Sequence, residues 1–185
     1  MSEPTDLNAR LLAAGAALGL AASIFWPFRL PSRLLYLAGA ALLFAACHRM
    51  RARRSEFAAA RKYLAAFAVL AGLSAAISAE QIARLLQLGL AAFSYFAVTL
   101  LCAGCKAVRD GRPAAERQLE MPPVVGQFEI CAGVFAACQA VALGLPGLRG
   151  GADFAAMVSF AAGFGLLTNY FIRPGAPGGS GEEQP

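Results

Sequence analysis

Cys102 and Cys105 form a Cys-Ala-Gly-Cys stretch, the feature of this sequence that comes nearest to a chemical motif. On a helix the two thiols would lie on one face, one turn apart. With Cys47, His48 and Cys131 they could form a metal site or a thiol redox site. Cysteine is equally a small apolar residue that is often buried. A single CxxC in an alanine-rich segment favours that second interpretation, and five cysteines, an odd number, do not suggest a disulfide framework. We therefore predict no metal and no cofactor.

Polar residues inside the apolar segments are few, and this limits the chemistry they could support. Gln139 is predicted near the middle of an apolar block, and Glu129 at the edge of the same block. Ion- or proton-coupled carriers usually place ionisable groups near the membrane midplane, which argues against such a carrier here. The sequence also lacks HExxH, Walker A and GxSxG motifs, so we predict that the protein is not an enzyme. Gln139 is expected to form a helix–helix hydrogen bond or to contact a polar ligand.

The elements that would position these residues are membrane helices. The chain is 58% hydrophobic and 15% charged, and the charges lie between apolar blocks. A soluble domain is usually nearer half apolar and a quarter charged. This distribution predicts an all-α fold, a six-helix transmembrane bundle of three hairpins. The predicted spans are residues 11–28, 30–47, 63–79, 85–105, 128–148 and 154–172.

A basic cluster between the second and third apolar blocks predicts the orientation of every span. Its members are Arg49, Arg51, Arg53, Arg54, Arg61 and Lys62. Short basic loops stay in the cytoplasm, so alternation places both termini there as well. Of the 16 Lys and Arg residues, 12 then lie inside and 4 outside. We predict a bacterial-type plasma membrane protein with cytoplasmic tails at 1–10 and 173–185, the second disordered. The positive charge would meet lipid head groups rather than nucleic acid.

Three short polar segments are predicted as turns on the outer side: Arg29–Arg33, Glu80–Arg84 and Arg149–Asp153. The second apolar run, Leu34–Cys47, has only 14 residues. It can cross the membrane if 30–33 join the helix and Arg33 snorkels, or if the bilayer thins locally. Ser55 is predicted to cap the third helix.

Small residues recur at a spacing of four on two of the predicted helices. Gly15 and Gly19 form a GxxxG pattern, and Gly72 and Ala76 are spaced likewise. Such faces allow close helix contacts in lipid. The partner could be another helix of this chain, which we favour, or another membrane protein.

A shift of 51 residues aligns Arg33-Leu34-Leu35 with Arg84-Leu85-Leu86, and Ser23 with Ser74. The third hairpin repeats the layout but not this register. Similar hairpins under the same membrane constraints are favoured over true duplication, and a true repeat would be parallel.

Two families share this layout. The small-residue series on the first helix resembles that of the substrate-binding S components of energy-coupling-factor vitamin transporters. The hairpin spacing resembles that of repeated-hairpin proteins of the acid-resistance membrane family. We favour a non-catalytic interaction subunit that packs against another membrane protein. The alternative is a component that binds or transports a small, mostly apolar solute, as the first resemblance implies.

Overall fold

Six long helices make up almost all of residues 4–25, 29–77, 79–110 and 121–172, the part of the chain that this computed structural model describes. The helices are α1 (Pro4–Ile24), α2 (Arg29–Met50), α3 (Ser55–Ala76), α4 (Glu80–Arg109), α5 (Pro123–Gly144) and α6 (Arg149–Ile172). A single 3₁₀ turn, Pro146–Leu148, lies between α5 and α6. These residues contain no strand, and the prediction of an all-α chain with six helices is confirmed.

Each of the six helices is long and apolar enough to cross a membrane. The 22 residues of α2 extend about 33 Å, and a hydrocarbon core is about 30 Å thick. Residues 29–33, predicted as a loop, are helical instead. Because they belong to α2, the second span is long enough to cross the membrane. Segments 80–84 and 149–153, also predicted as turns, are the first turns of α4 and α6. Their number, length and apolar composition suggest a multi-pass membrane protein.

A proline explains why α5 ends at Gly144, earlier than predicted. Pro146 disfavours helical backbone at the residue before it, and Leu145 accordingly has φ −127° and ψ 83°. Two of the other predicted boundaries, the end of the first span at 28 and the disordered tail at 173–185, lie outside the described residues. Most of the predicted N-terminal tail belongs to α1, which begins at Pro4.

The predicted cap at Ser55 is wrong, because Ser55 is the first helical residue of α3. Arg54 occupies the cap position with extended backbone, and its side chain makes no capping hydrogen bond. Ser55 Oγ instead donates to Glu56 Oε2 at 3.4 Å. Arg54 Nη2 also pairs with Glu56 Oε1 at 3.1 Å, and an acidic residue in the first turn suits the helix dipole.

The helices form a closed ring in chain order. Each helix packs against its neighbours in sequence, and α6 packs against α1. The end of the ring at which α1, α3 and α5 finish is called the turn end, because the chain returns there over short connections. The opposite end, which carries the basic cluster, is called the basic end.

Aromatic side chains fill the centre of the ring. Tyr36 contacts Phe67, Phe160 and Phe164 at ring-centroid distances of 5.8, 6.1 and 6.0 Å. Phe135 stacks on Phe160 at 4.4 Å. These five residues, from α2, α3, α5 and α6, are called the aromatic cluster. All five are nearly inaccessible to solvent, so the cluster contributes most of the apolar burial on the ring axis.

The buried faces of α2, α4 and α6 share one register. At an offset of 51 the paired buried residues of α2 and α4 are Ser32 with Ala83, Arg33 with Arg84, Tyr36 with Gln87, Ala40 with Ala91, Leu43 with Ser94 and Cys47 with Val98. At an offset of 120 from α2, five of the six buried residues of α6 match buried residues of α2: Ala152, Ala156, Phe160, Gly163 and Leu167. The third pair of helices thus follows the register of the first two. The residue types at the matching positions mostly differ, so the sequence did not indicate this shared register. Only the pattern of buried positions repeats.

Candidate functional site

Arg84 is the centre of a charged cluster at the turn end. Its Nη1 and Nη2 donate to the two carboxylate oxygens of Asp153 at 2.7 and 3.0 Å. Its Nε and Nη2 donate to Glu80 Oε1 at 3.2 and 3.0 Å. Arg84 is only 7% exposed, and a bidentate arginine–carboxylate contact is among the strongest polar contacts in proteins. The side chain therefore joins α4 firmly to α6.

Gln139 connects α5 to the same cluster. Its Oε1 accepts a hydrogen bond of 3.2 Å from Arg84 Nη1, and the residue is fully buried. The amide lies five residues before the end of α5, so it belongs to the turn-end third of the helix and not to its middle. Its Nε2 atom has no hydrogen-bond partner among the described residues. Gln139 thus makes a contact between helices at the point where three of them meet.

Arg149 completes the turn-end cluster, which consists of Glu80, Arg84, Gln139, Arg149 and Asp153. Arg149 Nη1 lies 3.3 Å from Glu80 Oε2, and its Nε donates to the carbonyl oxygen of Ala142 at 3.3 Å. Two cations and two carboxylates therefore balance in charge. The Arg149–Glu80 pair is more than a third exposed on both sides and contributes little to stability.

A second buried polar group joins α1 to α2 near the same end. Ser23 Oγ donates to the carbonyl oxygen of Gly19 and shares a hydrogen bond of 2.9 Å with Tyr36 Oη. The guanidinium of Arg33 lies 5.9 Å from the centre of the Tyr36 ring. Arg33 is 4% exposed, so it packs inside the ring instead of snorkelling to the surface. Polar contacts therefore concentrate at the turn end of the ring, on top of the aromatic cluster.

Little free volume remains beneath the aromatic cluster. A cavity of about 30 Å³ lies between Gly15, Gly39, Leu43 and Phe67. That space is enough for one or two water molecules, but its walls are almost wholly apolar, and such cavities stay dry. A solute of metabolite size, which needs several hundred Å³, does not fit there.

A larger cavity opens at the basic end. It has a volume of about 170 Å³ and lies between α1, α2, α3, α4 and α6. Leu12, Phe57 and Phe171 form apolar walls of this cavity, and Arg53 and Arg109 also line it. The combination of an apolar wall and two cations suits an amphiphile with a negative head group.

The sequence predicts two helix faces with small residues four apart, and the structure places these two faces in different surroundings. A Cβ atom at Gly15 would lie 2.7 Å from Leu43 Cγ and 3.0 Å from the carbonyl oxygen of Gly39. A Cβ atom at Gly19 would overlap the ring of Phe164. These two glycines therefore contact helices of the same chain. Gly72 has open space around it, and Ala76 on the same face is exposed.

The predicted basic residues all lie at or near the basic end. Arg49 Nε donates to Asn8 Oδ1 at 3.1 Å, which joins α2 to α1. The guanidinium of Arg61 lies over the ring of Phe44 on α2, 5.0 Å from the ring centre. Arg51, Arg53 and Lys62 are exposed. The structure thus gathers these cations in one belt around the ring.

The cysteine set that could have bound a metal is not brought together. All five cysteines are free thiols. Cys47 and Cys105 belong to one apolar cluster near the basic end, whereas His48 on the same helix is exposed. Cys131 lies on α5, where its carbonyl oxygen accepts from Ser159. Within the described ranges, no three His, Cys, Asp or Glu side chains are placed to hold a metal ion.

No family model, curated protein or solved structure matches the sequence.

The turn-end cluster is the part of this geometry that sequence reasoning missed. From sequence, Arg84 and Asp153 are predicted to lie in outer turns, and few polar residues are expected inside the spans. Both residues occupy the first turns of membrane-length helices, and Arg84 is buried. The sequence feature that could have indicated the burial of Arg84 is its alignment with Arg33 at an offset of 51. Two arginines at matching positions of a repeat are expected to be buried to the same extent, and both are.

Proposed function

We propose that this protein is a non-catalytic interaction subunit of a bacterial-type inner membrane. The basic end of the ring would face the cytoplasm, because alternation of the spans along the sequence assigns 12 of the 16 Lys and Arg residues to that side. Six helices would cross the bilayer as three hairpins, and both chain termini would be cytoplasmic. The lipid bilayer is the first partner of such a chain, and nucleic acid is not among its partners.

The observation that carries this proposal is the filled axis of the ring. The aromatic cluster occupies the centre, and the turn-end cluster lies above it with its charges paired. A conduit needs a continuous polar path between helices, and tightly packed aromatic rings leave none. The outward faces of the helices are then the surfaces on which the protein would act.

Copurification tests the proposed function. The tagged protein, extracted in a mild detergent, is expected to bring down another membrane protein in a fixed ratio, because a packed helix interface survives such extraction. An unrelated six-helix protein with the same tag serves as the control. If only lipid, or only copies of this chain, accompany the protein, the proposal of a separate partner is wrong.

The second candidate function is binding of a small solute, as in the S components that the first helix resembles. The cavity of about 170 Å³ at the basic end is the observation that favours it. Its apolar walls and its two arginines would suit a small amphiphilic anion. A stoichiometric ATPase in the same purification would support this alternative over the first.

A further inference from the structure

Two charged residues lie on the outside of the ring within membrane-length apolar helices. Lys62 on α3 and Glu129 on α5 are both exposed. Neither makes a hydrogen bond or ion pair with the rest of the described chain, although Arg54 and Arg84 are paired. At the inner edge of a membrane span, an outward-facing charge with no internal partner is placed to pair with an opposite charge on a neighbouring molecule.

Lys62 and Glu129 lie at the same depth. Lys62 is seven residues after the start of α3, and Glu129 is six residues after the start of α5. At 1.5 Å per residue, Lys62 lies about 10 Å along α3 and Glu129 about 9 Å along α5, measured from the start of each helix at the basic end. Both helices run from the basic end to the turn end. Two copies in one membrane would therefore bring a lysine and a carboxylate to one level.

Glycines with open space around them also lie on these two helices, as they do on α6. Gly72 on α3, and Gly126 and Gly133 on α5, have no atom within 4 Å of an added Cβ, unlike Gly15 and Gly19 inside the ring. In lipid, small residues are concentrated where helices approach closely. Larger side chains stand beside them, with Val69 60% and Ile130 68% exposed, and could fill the gaps of a facing helix.

We propose that copies of this chain assemble in the membrane, with α3 of one copy packed in parallel against α5 of another. Lys62 forms an ion pair with Glu129 of the neighbouring copy. A two-fold contact through α5 alone would place two carboxylates side by side, so α5 of one copy meets α3 of the other. A two-fold axis along the membrane normal, passing in front of α4, would form this contact twice. This self-association goes beyond the proposed function, which concerns a different membrane protein.

Charge reversal tests the contact. Two differently tagged copies are coexpressed and extracted in particles of native lipid, and the recovery of one tag with the other is measured. Lys62→Glu alone and Glu129→Lys alone should each reduce recovery by about tenfold or more, because each places like charges together. The double variant should restore recovery, since the pair is re-formed with its polarity exchanged.

Mixing the two single variants gives the sharpest result. A Lys62→Glu copy coexpressed with a Glu129→Lys copy should assemble again, because alternating copies present opposite charges at every contact. Arg51→Glu, at an exposed residue outside both faces, is the matched control and should have no effect. Thermal melting of each variant should match the parent, since neither side chain has an internal partner. Absence of association between parental copies, or failure of both the double variant and the mixture to restore it, would overturn the proposal.

Discussion

Replacing Gly19 with leucine is expected to lower the free energy of unfolding by about 1–3 kcal/mol or more, the range for overpacked interiors. Any Cβ at this position overlaps the ring of Phe164. That ring is 4% exposed and is held by Tyr36 and Phe160, so it cannot move aside cheaply. Gly15→Leu should also destabilise, since its Cβ would meet Leu43. Thermal melting in detergent is the measurement.

Gly165 provides the matched control for this experiment. It lies on α6 next to Phe164, but nothing stands within 4 Å of an added Cβ. Gly165→Leu should melt close to the parent protein, and it should still insert, as Gly19→Leu should, because leucine favours lipid. Equal melting temperatures for Gly19→Leu and Gly165→Leu would contradict the packing of α1 on α6.

Replacing Asp153 with asparagine is expected to cost about 2–3 kcal/mol, because a buried guanidinium loses its bidentate carboxylate. Arg84 keeps Glu80, and the Asp153 side chain is 36% exposed, so the loss should stay below that of a fully buried pair. Denaturant or thermal unfolding in detergent measures the change.

The exposed member of the same cluster is the control. Arg149→Ala removes a pair that is more than a third exposed on both sides, and it should cost less than about 1 kcal/mol. A double replacement, Arg84→Met with Asp153→Leu, should be less destabilised than Arg84 left without Asp153, because no unpaired charge remains buried. If Asp153→Asn and Arg149→Ala have the same small effect, the cluster does not hold α4 to α6.

The six helices could be predicted from sequence because their cause is local. Five of the six apolar blocks are long enough to cross a membrane, and the charges mark their ends. The second block, Leu34–Cys47, has only 14 residues, and α2 reaches a membrane-crossing length because it begins at Arg29. Burial of Arg84 could not be predicted in this way. Its main partner, Asp153, is 69 residues further along the chain, and only the closed ring brings them together. A charged residue beside a turn looks the same in sequence whether it faces water or a carboxylate on another helix.

The small-residue patterns show the same limit. Gly15-x-x-x-Gly19 and Gly72-x-x-x-Ala76 are equivalent as sequence, yet the first is filled by neighbouring helices and the second is open. Spacing identifies a face that permits close approach, whereas only the arrangement of the other helices decides which face is occupied. Of the two faces, therefore, only the first is a contact within the described bundle.

Enzyme fusions test most directly the central claim, a six-span bundle with its basic end in the cytoplasm. Alkaline phosphatase, which is active only after export, would be fused after Arg54, between α2 and α3, and after Gly147, between α5 and α6. The charge distribution predicts an inactive enzyme at Arg54 and an active one at Gly147. Activity at Arg54 with none at Gly147 would reverse the orientation, and equal activity at both sites would contradict the alternation of the six spans.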